Sequence, residues 1–227
     1  MNMEEIKIFR EEDYPNFLDR LPDYGVIRKK LEDMRYIAPK RYNENNPYEY
    51  DIEVVFNLRI PRFNKALISY IEKYNNIPSE EEFCEYYYNK NREFFFNNNI
   101  DDDNHKVAIY NRCMRAYPSL LRDILFGKYL QSKGVKVIHN EILDSSAEID
   151  LMVMGNNGNW GVHLFTNTRR ANNHRNAKNY RYQLKFNNVN EIDLEIELSE
   201  CNKVNNLGLY EDREFEKLKK IVKCYSY

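Results

Sequence analysis

An aspartate stands inside a strongly apolar stretch near the middle of the chain. Asp150 belongs to EIDLMVMG, residues 148–155, and two further acids, Glu141 and Asp123, lie on the preceding predicted strand and helix. An ionised carboxylate among apolar residues is unfavourable unless it is paired or binds a metal ion. Carboxylates that converge on Mg²⁺ can activate water for phosphodiester hydrolysis. The alternative is a strand-end aspartate that is satisfied by a salt bridge or by main-chain amides.

A strongly basic segment follows the next apolar strand, GVHLFT. Residues 169–185 contain six Lys or Arg residues and no acid, namely Arg169, Arg170, Arg175, Lys178, Arg181 and Lys185. Neighbouring like charges repel one another, and an anionic partner would relieve that repulsion. Tyr180 and Tyr182 could stack on bases, and Thr168 could donate a hydroxyl hydrogen bond to a phosphate. We expect a nucleic-acid partner, DNA in the first place, although a charged helix can also be a solvated surface.

The composition sets the class of protein. The chain has 227 residues, 42% of them hydrophobic, and a net charge of only -2, so it can bury a substantial core but has no overall positive field. Its four cysteines are scattered, which argues against a disulfide framework or a zinc site. Neither a signal peptide nor an apolar run of about 20 residues is visible. We therefore expect a soluble, cytoplasmic protein without a membrane partner.

Elements of two kinds would position these residues. Residues 1–105 are expected to form a mainly helical accessory region, with helices in 23–37 and around the turn NNIPSEEEF, where Ser79 and Glu82 have the spacing of a capping box. The polar run 97–106 is expected to be a loop. Residues 106–227 are expected to form an α/β domain with the order helix, three strands, helix, strand, helix.

The elements of the second half have recognisable ends. Ser119 is expected to cap the first helix and Gly134 to end it. NNGN, residues 156–159, predicts a hairpin turn between two strands. EIDLEIEL, residues 191–198, alternates acids with Ile and Leu and predicts a strand with one solvated face. The basic segment is expected to be helical, and REFEKLKKIVKCY predicts a closing amphipathic helix.

This order of elements, with Asp150 in its second strand, resembles the restriction-endonuclease-like fold of the PD-(D/E)xK nuclease superfamily. The resemblance covers roughly residues 115–200. It implies a mixed sheet flanked by helices and Mg²⁺ held by Asp150 with Glu141 or Asp123. An acid next to an arginine on the first helix, as in Arg122 and Asp123, is similar to the pattern of many members, although an exposed ion pair would explain it equally.

The third strand departs from the family's pattern. His163 stands where the family has Glu and Phe165 where it has Lys. A neutral histidine is a poor Mg²⁺ ligand, and phenylalanine cannot stabilise charge. Either the site is inactive, or the cation has moved to the following helix as Lys178, with Gln183 further along. His163 is also explained as a hydrogen-bonded core residue.

Three hypotheses follow. The first is a metal-dependent endonuclease or other DNA-processing protein from a phage, a mobile element or a defence system. Its catalytic residues would be Asp150, Glu141 and Lys178, and its nucleic-acid contacts Arg169, Arg170, Arg175, Arg181 and Thr168. The second is a catalytically degenerate nuclease fold that binds nucleic acid or a protein. The third is an interaction protein without a nucleic-acid role, whose basic segment meets an acidic surface of a partner protein or of a second copy in a homodimer.

Overall fold

The computed structural model describes residues 14, 18, 19, 21, 60–138, 149–166, 189–197 and 199–222. These residues fall into two compact units. One contains Asp19–Leu121 with Asn205–Leu207, and the other contains the rest of the chain. The sequence places a domain boundary near residue 105, and the two units divide between Leu121 and Arg122, inside one long helix. The helices predicted over 23–37 and over the basic segment lie outside the described residues.

The first unit is built from α-helices. α1 spans Phe63–Tyr74, α2 spans Glu80–Lys90, α3 spans Arg92–Asn97, and α4 begins at Asp103. Aromatic side chains dominate its interior, where the rings of Phe83, Tyr87, Phe95 and Tyr117 are fully buried. Burial of these rings stabilises the short helices, which are only marginally stable in isolation.

α2 begins with the capping box that the sequence predicts. The Ser79 hydroxyl accepts a hydrogen bond from the main-chain N–H of Glu82 at 3.2 Å. The Glu82 carboxylate accepts one from the main-chain N–H of Ser79 at 2.7 Å. Two N–H groups that the helix cannot satisfy internally thus find acceptors, and the prediction is confirmed.

α4 spans Asp103–Ser132 and corrects two predictions. The helix begins at Asp103 and not at Ser119, so Pro118 lies inside it. Residues 103–106, which were expected to be part of a loop, are helical. Proline lacks an N–H and normally favours the first turn of a helix. Here buried residues continue on both sides of the proline, from Ile109 to Leu130, and their packing outweighs the local preference. The helix ends before Gly134, which has φ of 77° as a helix-terminating glycine requires.

The second unit contains a four-stranded mixed sheet. β1 spans Lys136–Ile138, β2 Leu151–Gly155, β3 Gly158–Thr166 and β4 Val189–Ile196, in the spatial order β1-β2-β3-β4. β1 and β2 are antiparallel, β2 and β3 are antiparallel, and β3 and β4 are parallel. The register Gly155↔Gly158 leaves Asn156 and Asn157 as a two-residue turn, which confirms the predicted hairpin.

β4 shows the predicted solvated face. Ile192, Leu194 and Ile196 are buried, whereas the acids that alternate with them, Glu191, Asp193 and Glu195, are exposed. The buried face of the sheet also contains Leu151, Val153 and Val162, each with no exposed area. The period of two along the strand places these residues on one side.

A second, smaller hairpin was not predicted. β5 spans Asn202–Val204 and β6 spans Leu207–Leu209. Asn205 and Asn206 join them with φ of 48° and 63°, the left-handed geometry of a tight hairpin turn. The predicted closing helix follows as α5, Asp212–Val222, with Phe215, Leu218 and Val222 buried.

The described residues thus form an α/β protein with a helical region and a four-stranded mixed sheet. None of the helices in the described ranges has both the length and the apolar character that a membrane span requires.

Candidate functional site

Asp150 lies where β2 begins, directly against β3. Its main-chain N–H donates to the carbonyl of Val162 at 3.1 Å. Its carboxylate oxygen Oδ2 accepts a hydrogen bond from the main-chain N–H of Leu164 at 2.6 Å. The last registered pair of the two strands is Leu151↔Val162, so the side chain supplies an acceptor where the regular ladder stops. One alternative from the sequence was that a main-chain amide satisfies this carboxylate. The structure contains such a hydrogen bond for Oδ2.

His163 precedes Leu164 on β3 and contacts β4. Its Nε2 lies 3.5 Å from the Glu191 carboxylate, and its side chain is 15% exposed. The register pairs His163 with Asp193 and Phe165 with Glu195, which places both β3 side chains on the face that carries the exposed acids. The two positions that the nuclease pattern would fill with Glu and Lys therefore lie beside a row of carboxylates on β4.

The chemistry open to His163 follows from this pairing. An imidazole N–H at this position can donate a hydrogen bond to the Glu191 carboxylate. The same ring is a poor ligand for Mg²⁺, which prefers oxygen. His163 is therefore placed as a residue held against β4, and it does not replace the missing glutamate.

Asp123 and Arg122 lie in a different environment on α4. Burial raises the pKa of Tyr210, the negative charge of Asp123 raises it further, and the guanidinium of Arg122 opposes the shift through its charge and a hydrogen bond. Arg122 is 9% exposed, and its Nε has no hydrogen-bond partner. Arg122 is therefore buried, and the exposed Arg122–Asp123 ion pair that the sequence offered as an explanation is not present.

The metal site predicted from three acids stays a prediction. Within the described ranges, no three His, Cys, Asp or Glu side chains are grouped so that they could hold a metal ion. Glu141 lies outside those ranges, so its distance from Asp150 and Asp123 is not described. Of the predicted ligands, Asp150 is placed against β3 and Asp123 beside Tyr210.

The predicted contacts to nucleic acid also lie outside the described residues. They are Thr168, Arg169, Arg170, Arg175 and Arg181, and Lys178, which was predicted to be catalytic, lies there as well. β3 ends at Thr166 and its parallel neighbour β4 begins at Val189, so the residues that join them include the whole basic segment. Parallel neighbours need a connection of a dozen or more residues, and this one has that length.

No protein-family model, curated protein or solved structure matches the chain.

Buried charges are the feature that the sequence did not reveal. Lys128 on α4 and Glu214 on α5 are each 2% exposed. Glu214 Oε2 accepts the main-chain N–H of Glu211 at 3.3 Å, and Oε1 lies 4.0 Å from Nε of Arg213. The spacing of Glu211 and Glu214 at the start of α5 was a signal for this contact, since an acid in the first turn can satisfy a free N–H. Nothing in the local sequence distinguishes Lys128 from an exposed lysine.

Proposed function

We propose that the protein is a metal-dependent nuclease, or a related DNA-processing protein, of the restriction-endonuclease-like kind. The observation that carries the proposal is the position of Asp150 in the sheet. A helix, α4, leads into three antiparallel strands, a parallel fourth strand follows, and Asp150 stands at the start of the second with its carboxylate fixed against the third. The helix and the three antiparallel strands with Asp150 at the second support the proposal, and the helix that the resemblance implies between β3 and β4 lies outside the described residues.

The residues fit Mg²⁺ in part. This ion is commonly bound by one or two protein carboxylates and keeps several waters. Asp150 would supply one carboxylate, oriented by the hydrogen bond from Leu164, and Glu141 would supply the second. When bound, the metal would provide an activated water and would neutralise charge on the phosphate. Lys178 would stabilise the developing negative charge, and the arginines of the basic segment would hold the phosphate backbone.

The test is metal-dependent cleavage by the intact chain. Duplex DNA, single-stranded DNA and RNA are incubated with Mg²⁺ and with Mn²⁺, and Asp150→Asn is compared with the native protein. Asn keeps an oxygen acceptor for Leu164 but removes the charge that a metal requires, so cleavage should be lost while the fold is retained. Asp193→Asn is the matched control, because Asp193 is an exposed acid on the next strand but one. Cleavage that survives Asp150→Asn would contradict the proposed site.

A second function is favoured by β3. His163 and Phe165 stand in the places of the expected Glu and Lys, and His163 is engaged by Glu191. On this proposal the protein has a degenerate nuclease fold that binds nucleic acid without cutting it. It predicts salt-sensitive binding in the absence of metal and no cleavage with any divalent ion.

Binding is measured by fluorescence anisotropy in EDTA at several salt concentrations. Arg169→Ala with Arg170→Ala should weaken binding and flatten its salt dependence. Lys219→Ala with Lys220→Ala removes two cations from α5 and should have a smaller effect. Absence of binding even at low salt would reject both nucleic-acid proposals and would leave the basic segment to a partner protein or a second copy of the chain.

A further inference from the structure

The helical unit carries a cluster of three tyrosines between α1 and α2. The rings of Tyr70 and Tyr74 have centroids 4.6 Å apart, and Tyr86 lies 5.2 Å from Tyr70 and 6.1 Å from Tyr74. The two contacts of Tyr86 are edge-on, with interplanar angles of 88° and 81°. Tyr74 is 49% exposed, one of the few large hydrophobic side chains in the described ranges that solvent reaches to this extent.

Two lysines flank these rings. The ammonium of Lys73 lies 4.8 Å from the centroid of Tyr74, and that of Lys90 lies 5.7 Å from the centroid of Tyr86. Lys90 also donates to the Ser69 hydroxyl at 2.6 Å, and Ser69 is hydrogen-bonded to the Tyr86 hydroxyl at 3.1 Å. These contacts hold one cation and one ring in a fixed relationship.

The ammonium groups of Lys73 and Lys90 are available to an anion. Among the described residues, neither Lys73 nor Lys90 forms an ion pair with a carboxylate. Glu82 acts electrostatically on Tyr70, but its carboxylate accepts the main-chain N–H of Ser79 at the start of α2. Lys73 is exposed and is charged at neutral pH as lysines ordinarily are, and the hydrogen bond with Tyr74 raises its pKa further.

We infer that this surface, which consists of Ser69, Tyr70, Lys73, Tyr74, Tyr86 and Lys90, is a binding site for single-stranded nucleic acid. Aromatic rings stack on bases without regard to sequence, and adjacent cations pair with the phosphates. The half-exposed ring of Tyr74 with the Lys73 ammonium, and the Lys90 ammonium at the neighbouring ring of Tyr86, offer both contacts to one or two nucleotides. Bases paired inside a duplex cannot stack on it, so the site selects unpaired strands.

The site is separate from Asp150 and from the basic segment. It lies on α1 and α2 of the helical unit, whereas Asp150 belongs to the sheet. Its test is therefore made without metal, on binding alone, and is independent of whether the protein cleaves.

Binding of fluorescein-labelled oligo-dT to the full chain in EDTA tests the inference. Tyr74→Ala should weaken binding by about tenfold, as loss of one base–aromatic stack does, and Tyr74→Phe should retain it. Lys73→Gln with Lys90→Gln should reduce the slope of log affinity against log salt by about 1.4, since each phosphate contact on a single strand contributes about 0.7. The affinity for the duplex of oligo-dT with oligo-dA should change by less than twofold in Tyr74→Ala, in Tyr74→Phe and in the paired lysine variant.

Phe96→Ala is the control for loss of an exposed ring. Phe96 is 67% exposed on α3, outside the tyrosine cluster, and its removal should leave oligo-dT affinity unchanged. The inference is overturned if the native chain does not bind oligo-dT at low salt, or if the Tyr74→Ala and paired lysine variants both bind within twofold of it. The lysine variants keep the test decisive if Tyr74→Ala unfolds, because both lysines are exposed.

Discussion

The Asp150 carboxylate accepts the main-chain N–H of Leu164 at 2.6 Å, one residue beyond His163 on β3. The side chain proposed to hold a metal therefore also completes the hydrogen bonding between β2 and β3. A variant that abolishes activity could do so by either route, and the two can be separated through stability.

Asp150→Ala should lower the free energy of unfolding by about 1 kcal/mol, whereas Asp150→Asn should lower it by less. Alanine leaves the Leu164 N–H without its acceptor, and asparagine keeps an oxygen that can accept. Urea unfolding followed by circular dichroism measures both variants. Equal stability losses for the two would show that the hydrogen bond contributes nothing and that only the charge of Asp150 matters.

Gly161→Ala should destabilise the sheet by roughly 1–3 kcal/mol, and Ile149→Val should compensate. A Cβ at position 161 would lie 2.7 Å from Cδ1 of Ile149, and Ile149 is 1% exposed. Valine lacks that Cδ1 atom, so the double variant should lose less stability than the two single losses added together. Strict additivity in thermal unfolding would mean that Ile149 moves aside without cost.

Ser79→Ala should destabilise the helical unit by about 1 kcal/mol, while Glu82→Gln should have a smaller effect. Alanine removes the acceptor for the Glu82 N–H, whereas glutamine can still accept from Ser79 in a capping box. Ser199→Ala outside this unit serves as the matched control. A melting temperature unchanged in Ser79→Ala would show that α2 is held by its aromatic packing alone.

Tyr129→Phe should differ most from the native protein at neutral pH, and the difference should shrink from pH 10 to 12. Burial and then a hydrogen bond to Asp212 raise the pKa of Tyr129 from 10.0 to about 12, although Lys133 opposes the shift. A raised pKa in the folded state contributes stability that is complete below the unfolded value of 10 and is lost as the pH rises through 12. Phenylalanine does not titrate, so the Tyr129→Phe variant does not lose this part of its folding stability as the pH rises.

Chemical unfolding at a series of pH values measures the Tyr129 effect. Tyr74→Phe, which changes an exposed ring of the helical unit, is the control. A stability difference between native and Tyr129→Phe that stays constant across this pH range would contradict the assigned hydrogen bond.

The sequence predicted the sheet and several helix ends because those signals are local. The alternation of Glu191 to Ile196, the Asn156–Asn157 turn and the Ser79 capping box each depend on a few neighbouring residues. It failed at Pro118, where burial along 30 residues of α4 outweighs a local helix-start preference. It also missed β5 and β6, although Asn205 and Asn206 carry a recognisable turn signal.

The candidate site was predictable only in outline. Asp150 could be singled out because an acid in an apolar strand needs a reason. Its actual partner, the Leu164 N–H, depends on where the β2–β3 ladder ends, which pattern alone does not specify. The placement of Asp123 beside Tyr210 likewise depends on the packing of α4 against the residues before α5, a contact between residues 87 positions apart.

The exposed acids of β4 have a further consequence for the protein at high concentration. Among the described strands β4 lies at one edge of the sheet, and Glu191, Asp193 and Glu195 are all exposed along it. If a second copy added its own β4 to this edge, the carboxylates of the two strands would be brought close together and would repel. The row therefore disfavours edge-to-edge aggregation through β4.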